Sequence, residues 1–220
     1  MTRPGADFRR LRVDPTLGPA ALEAALAVAA SVLDRGGVIA FPTETVYGLA
    51  ADPASLAAVG RIFELKERTA GEALPLIAAD VDAARQVAAV WSPVTATLAS
   101  RFWPGPLTLV VPVNDAEVVA PVTAGRGTIG VRVSSHPVAR ALAAVSPSGV
   151  ITATSANRSG TPAHSTADAV AAALAKVDLI LDAGDAPGGP ASTIVDVSEA
   201  EPRLIREGPI AFARVLESLR

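Results

Sequence analysis

The sequence predicts an α/β protein, with helices flanking a mixed sheet, and three features carry that expectation. Short apolar runs of strand length interleave with helical periodicities along nearly the whole chain. Half of the 220 residues are apolar while only 4% are aromatic, a composition suited to many close-packed helices against a sheet. No repeat or linker divides the chain, and its one Gly/Pro-rich stretch, Gly184 to Pro190, has the length of a loop. One domain over residues 1–220 is therefore expected, with its core at about 18–210.

The elements follow in order. Residues 1–17 are polar and proline-marked, which predicts a partly extended lead-in. From Ala20 to Leu33, the residues Leu22, Leu26, Ala29, Ala30 and Leu33 share one helical face, and Gly36-Gly37 supply a helix stop. Val38–Phe41 then reads as a short buried strand closed by Pro42. A second helix is expected from Ala54 to Glu67, with Leu56, Val59 and Phe63 on one stripe. Further strands are predicted at Leu74–Ala78, Leu107–Val111, Thr128–Val133, Gly149–Thr154, Leu179–Leu181, Ser192–Val195 and Arg203–Ile205. Helices are placed at 80–90, 93–102, 137–144, 165–176 and 209–219. The last two strands are close in sequence and predict an antiparallel section.

Composition also excludes chemistry. There is no cysteine, which removes disulfides, thiolate nucleophiles and cysteine–zinc sites. Two histidines, His136 and His164, leave little material for a histidine metal site or a serine–histidine triad, and no protein-held metal is expected. The net charge of −3 argues against a surface coated in positive charge for bulk nucleic-acid binding, though it allows a local basic pocket. No apolar run reaches the roughly 18 residues of a spanning helix, and the N-terminus lacks the apolar stretch of a signal peptide. A cytoplasmic protein with no membrane contact is expected.

Two motifs are decoys. Gly125-Arg126-Gly127-Thr128-Ile129-Gly130 spells G-x-G-x-x-G, but it leads into a predicted strand, whereas the dinucleotide fingerprint opens a helix. Asn157-Arg158-Ser159 spells a glycosylation sequon without a secretory signal. No P-loop occurs, so any ATP is bound by another architecture.

Polar residues gather where strands end, the usual ligand-binding place in α/β folds. Pro42-Thr43-Glu44-Thr45-Val46-Tyr47-Gly48-Leu49 follows the first apolar strand. It reads equally as a grip for a small polar ligand or as a turn whose threonines bond their own backbone. Lys66-Glu67-Arg68 fits either a phosphate site or cations answering a helix C-terminus. Arg132, inside an apolar strand, needs an anion, either a structural carboxylate or one on a ligand. Thr152 to Asn157 offers hydroxyls and an amide to phosphate oxygens, or caps a local turn. Ser192 to Asp196 and Arg206-Glu207-Gly208 complete the set. Four cations with several hydroxyls and no convincing nucleophile suit holding an anionic nucleotide better than covalent catalysis.

These segments, together with Trp103-Pro104-Gly105-Pro106-Leu107-Thr108 and Val131-Arg132-Val133, resemble the ordered motif series of the YrdC-like family, which contains the threonylcarbamoyl-AMP synthases. The match runs from about residue 20 to 210, and the chain resembles the short, single-domain type. The resemblance implies a YrdC-like twisted mixed sheet with flanking helices around a concave basic cavity. It implies that Thr43, Arg132 and Ser192 contact L-threonine, and that Lys66, Arg68, Thr128, Thr154, Ser155, Asn157 and Arg206 line the ATP side. Lys66, Arg68 and Arg206 would be the catalytic cations, with Mg²⁺ bridging phosphate oxygens. The substrates would be L-threonine, bicarbonate and ATP, and the product would pass to a separate tRNA threonylcarbamoyl transferase complex. Proton handling falls to Tyr47 or Glu44 as candidates. Two departures stand out: Thr69 where many relatives have proline, and no histidine within Leu74–Ala79, so the loop 69–73 is expected to grip substrate differently. Three rivals stay open. One is an RNA-binding module, for tRNA or double-stranded RNA, on the same basic concavity; the others are a related carbamoyl-transfer domain and a purely structural role. Salt-dependent RNA affinity without threonine-dependent ATP turnover would mark the first.

Overall fold

Side-chain alternation along the strands divides the interior into two apolar layers. In a computed structural model that describes residues 9–14, 19–68, 71–113 and 120–220, the strand β2 (Ile39–Phe41) sends Ile39 and Phe41 to one layer, while Val38 and Ala40 face the other. Neither face meets water, as expected of strands covered on both sides. The elements preceding and following it are β1 (Arg9–Arg12), α1 (Pro19–Asp34), β3 (Gly48–Ala50), α2 (Leu56–Lys66), β4 (Leu76–Ala78), α3 (Val81–Val87) and α4 (Pro93–Phe102). They continue with β5 (Leu107–Pro112), α5 (Ala120–Thr123), β6 (Thr128–Arg132), α6 (Pro137–Ala144), β7 (Val150–Thr152) and β8 (Thr154–Ser155). The last are α7 (Ala167–Ala173), β9 (Leu179–Asp182), β10 (Thr193–Asp196), β11 (Arg203–Arg206) and α8 (Phe212–Glu217).

Helix ends are written locally. Ser55, Asp80, Ser92 and Thr166 each accept a bond from the backbone N–H three residues on, capping α2, α3, α4 and α7. Gly36, at φ +72°, and Gly37 return their N–H groups to Leu33 and Val32 and stop α1 where the glycine pair predicts.

The strands form two mixed sheets where a single sheet is expected from sequence. One has the order β1-β9-β2-β3-β8, the other β11-β10-β5-β6-β4-β7. β10 and β11 pair antiparallel, as their spacing predicts. Thr152 marks the seam between the sheets: its hydroxyl accepts from Ala51 N–H at 2.8 Å and donates to Leu49 C=O at 3.3 Å. After Ala153 the chain passes from β7 in one sheet to β8 in the other, so a stretch that reads as one strand serves both. Both apolar layers draw on both sheets; the larger is closed by α2, α4 and α7, and the second is covered by α1 and α6.

The lead-in is extended where it is described, as expected, while residues 1–8 and 15–17 lie outside the described residues. Residues 9–12 form β1, parallel to β9, and Arg10 is fixed there by Asp182 at 2.8 Å and by Asp168. The glycines at 125–130 open β6 rather than a helix, as their context predicts. Thr69 and Ala70, where the altered grip is expected, lie outside the described residues. Among the described residues no helix is long and apolar enough to cross a membrane.

Candidate active site

A cavity of about 250 Å³ opens where the sheets meet, walled by strand ends from both. The end of β2, the loop to β3, the starts of β4, β5 and β10, the end of β6 and β8 all reach it. Of the residues singled out from sequence, Thr43, Arg68, Arg132, Thr154, Ser155, Ser192 and Arg206 line this cavity together.

Three guanidiniums converge there. Arg132 is 7% exposed at the end of β6, and one of its terminal nitrogens, Nη1, pairs with the Glu44 carboxylate. Burial pulls its pKa below the ordinary arginine value, and the Glu44 charge opposes that fall. Arg206, at the end of β11, donates through Nε and Nη2 to the Ser192 carbonyl at 3.1 and 2.8 Å. It meets no carboxylate among the described residues, and burial followed by the Arg132 charge lowers its pKa. Arg68 pairs with Glu72, an exposed partner four residues on. One shielded carboxylate and one exposed one against three cations leave the cavity electropositive.

Local chemistry sets each position. Gly208 is what lets Arg206 reach Ser192. A Cβ there would lie 2.2 Å from Ala191 C=O, so only glycine permits the approach, and its N–H bonds the Thr193 hydroxyl at 3.0 Å. At the end of α2, Glu67 adopts φ +50°, an unusual value for a non-glycine residue. That reversal turns Lys66 inward and Arg68 toward the cavity.

Lys66 departs from expectation. It is 3% exposed and does not line the cavity; its ammonium donates to Ser155 C=O at 2.5 Å and Asn157 C=O at 2.9 Å. Burial and then the Arg68 charge hold its pKa down at about 8. Lys66 therefore braces the Ser155–Asn157 loop from behind. Asn157 is likewise turned inward, donating to Arg158 and Thr161 carbonyls. Thr128 is not brought to the site: it lies four residues before Arg132 on β6, about 13 Å away at strand rise.

The turn reading of the Thr43 loop is seen, and the loop also walls the cavity. The Thr43 hydroxyl donates to Val46 C=O at 2.7 Å and accepts from Thr45 and Val46 N–H, yet the loop still walls the cavity. Tyr47 is fully buried and donates to Gly184 C=O at 2.7 Å. Tyr47 lines the cavity as well, and burial, then the Asp182 charge, pushes its phenol pKa well above the usual value. Sequence reading gave no role to Thr108 or Ser134. Thr108 lines the cavity and bonds the Ser192 hydroxyl at 2.9 Å; Ser134 donates to Glu44. Thr108 was signalled only as the last residue of the Trp-Pro-Gly-Pro motif at the start of a strand. No group of three or more His, Cys, Asp or Glu that could hold a metal occurs among the described residues.

The model of the Sua5/YciO/YrdC family, described as "Telomere recombination", matches residues 31–208. Among curated proteins, the threonylcarbamoyl-AMP synthase of Pyrococcus abyssi is 39% identical over 189 residues, 86% of this chain and 55% of its own. The synthase of Bacillus subtilis is 38% identical over 192 residues, again 86% of this chain and 55% of its own. The chain thus spans little more than half the length of these relatives. A crystal structure of P. abyssi Sua5 complexed with L-threonine superposes with a TM-score of 0.87 at 36% identity, covering 96% of this chain and 60% of that one.

Proposed function

Because the chain belongs to the Sua5/YciO/YrdC family, we propose that it is an L-threonylcarbamoyladenylate synthase, a nucleotidyltransferase that condenses L-threonine, bicarbonate and ATP. The observation that carries the proposal is the convergence of Arg68, Arg132 and Arg206 on one hydroxyl-lined cavity in a chain of net charge −3. Such a cavity suits a polyanion beside a small carboxylate-bearing ligand. The threonylcarbamoyl-AMP synthases of P. abyssi and B. subtilis, 38–39% identical over most of this chain, support the choice.

In this reading the threonine amine condenses with bicarbonate, losing water, to give a carbamate. A carbamate oxygen then attacks the α-phosphorus of ATP, the bond to the bridging oxygen breaks, and pyrophosphate leaves. No protein nucleophile is needed. Arg132 takes the threonine carboxylate, with the Thr43 and Ser192 hydroxyls beside it. Arg68 and Arg206 stabilise the phosphate charge, helped by Thr154 and Ser155 on β8. Lys66 and Asn157 act from behind by shaping that loop, and Thr128 has no part. The described residues offer no cage for Mg²⁺, so an Mg²⁺ ion would arrive on the ATP phosphates and offset their charge there. The adenylate would pass in the cytoplasm to a transferase acting on tRNA.

The test is pyrophosphate release from ATP. Release that requires both L-threonine and bicarbonate is expected; ATP turnover indifferent to threonine would overturn the proposal.

A further inference from the structure

Glu44 is the shielded carboxylate paired with a cavity-lining arginine among the described residues, and it stands behind the wall rather than on it. Its side chain is 13% exposed and is absent from the cavity lining. One carboxylate oxygen takes Nη1 of Arg132 and the other takes the Ser134 hydroxyl. Ser134 is itself oriented, accepting the His136 N–H at 3.1 Å, while its carbonyl takes Arg140 at 2.7 Å. The chain of contacts therefore runs from the start of α6 through Ser134 and Glu44 to a single nitrogen of Arg132.

The geometry points to Glu44 as a positioning residue that presets the Arg132 fork for the carboxylate of an amino acid, an inference that rests on the threonine reading above. A guanidinium carries five N–H donors in a rigid plane. With Nη1 held by Glu44, and Arg132 on the cavity wall with no second carboxylate partner among the described residues, the Nε–Nη2 edge is the one left for a ligand. That edge can take both oxygens of an incoming carboxylate in parallel bonds. Glu44 also keeps a buried cation compensated when no ligand is present. It acts through Arg132 and does not touch the reacting atoms. This role differs from proton handling, for which a carboxylate must reach the substrate amine.

Calorimetric titrations of L-threonine and of ATP, with steady-state turnover, test the assignment on Glu44→Gln. Glutamine keeps an oxygen for Nη1 and is the variant of choice if Glu44→Ala fails to fold. The expected result is a threonine Kd raised about tenfold, with ATP Kd and turnover at saturating threonine within about twofold of the parent. In an Arg132→Lys background, where no fork remains to orient, Glu44→Gln should add less than about twofold. Ser134→Ala should reproduce the threonine defect in weaker form. Equal losses toward threonine and ATP would reduce Glu44 to a structural part and overturn the inference. So would a fall in turnover at unchanged threonine Kd, or a full additional loss in the Arg132→Lys background, since either makes Glu44 a group that meets substrate. A wild-type chain that binds no L-threonine at all overturns the substrate reading itself, which separates that failure from the others.

Discussion

Lys66 shows how one residue can shape the cavity without facing it. Its ammonium is held by two carbonyls of the loop it braces, and its pKa lies at about 8 against an ordinary 10.5. Phosphate charge nearby would favour the protonated form, so ATP binding should take up a proton near that pH. ATP affinity is then expected to fall as pH rises through about 8, and a Lys66→Met variant should lose that dependence in titrations at pH 7 and 9. The sign for stability runs the other way. Between pH 8 and 10.5 the unfolded chain holds a proton that the folded chain has released, so the burial penalty of Lys66 fades across that window. Arg132 yields a second residue-scale expectation. Arg132→Ala leaves the shielded Glu44 unpaired and should cost about 3–5 kcal/mol of stability. Arg132→Lys keeps a cation beside Glu44 and should fold far better, yet lose about 10²-fold in threonine use for want of the fork. Thermal melts and a threonine titration on the two variants read the two effects separately.

At the scale of elements, the C-terminal hairpin places Arg206. Buried Thr193 donates to Ile210 C=O at 2.7 Å and accepts the N–H groups of Gly208 and Ile210, tying the segment after β11 to the start of β10. Gly208→Ala would set a methyl 2.2 Å from Ala191 C=O, so the segment must move and take Arg206 with it. The variant should lose turnover to the same degree as Arg206→Ala, about 10²-fold, and in addition melt earlier. If Gly208→Ala retained wild-type ATP affinity, the hairpin would not be what positions the guanidinium. Thr193→Val removes three bonds and should destabilise by about 1–3 kcal/mol through the orphaned N–H groups, read in a denaturant titration.

Across the whole molecule, the N-terminal strand is tied to the site. Arg10 on β1 holds Asp182, which accepts from Gly184 N–H, and Gly184 C=O takes the Tyr47 hydroxyl. Gly188 N–H in turn bonds Thr45 C=O at 2.7 Å, so the loop from 183 to 190 props the threonine-rich loop. Arg10→Ala should therefore loosen both loops and raise the threonine constant by a few-fold while leaving the cavity charge intact. On the proposed reaction, pyrophosphate release should proceed with no tRNA present, since the adenylate would form before any transfer. An absolute requirement for tRNA would place the chemistry elsewhere.

Sequence alone settled what depends on neighbours along the chain. The stop of α1 at Gly36-Gly37, the antiparallel pair β10–β11 and the grouping of Thr43, Arg68, Arg132, Ser155, Ser192 and Arg206 at strand or helix ends were all legible there. Local periodicity and turn chemistry carry that information in a window of a few residues. What needed tertiary structure was whatever depends on residues far apart. The division into two sheets turns on Thr152 meeting Ala51, and β1 is a strand because β9 lies beside it; a polar edge segment shows no apolar run of its own. The same holds at the site. Sequence marked Lys66 and Arg68 as a pair, but the left-handed turn at Glu67 sends one behind the wall and the other onto it. Sequence required an anion for Arg132 and left its source open; the fold supplied Glu44, 88 residues away. Burial and charge pairing are properties of contacts, and contacts at that separation are decided only when the sheets close.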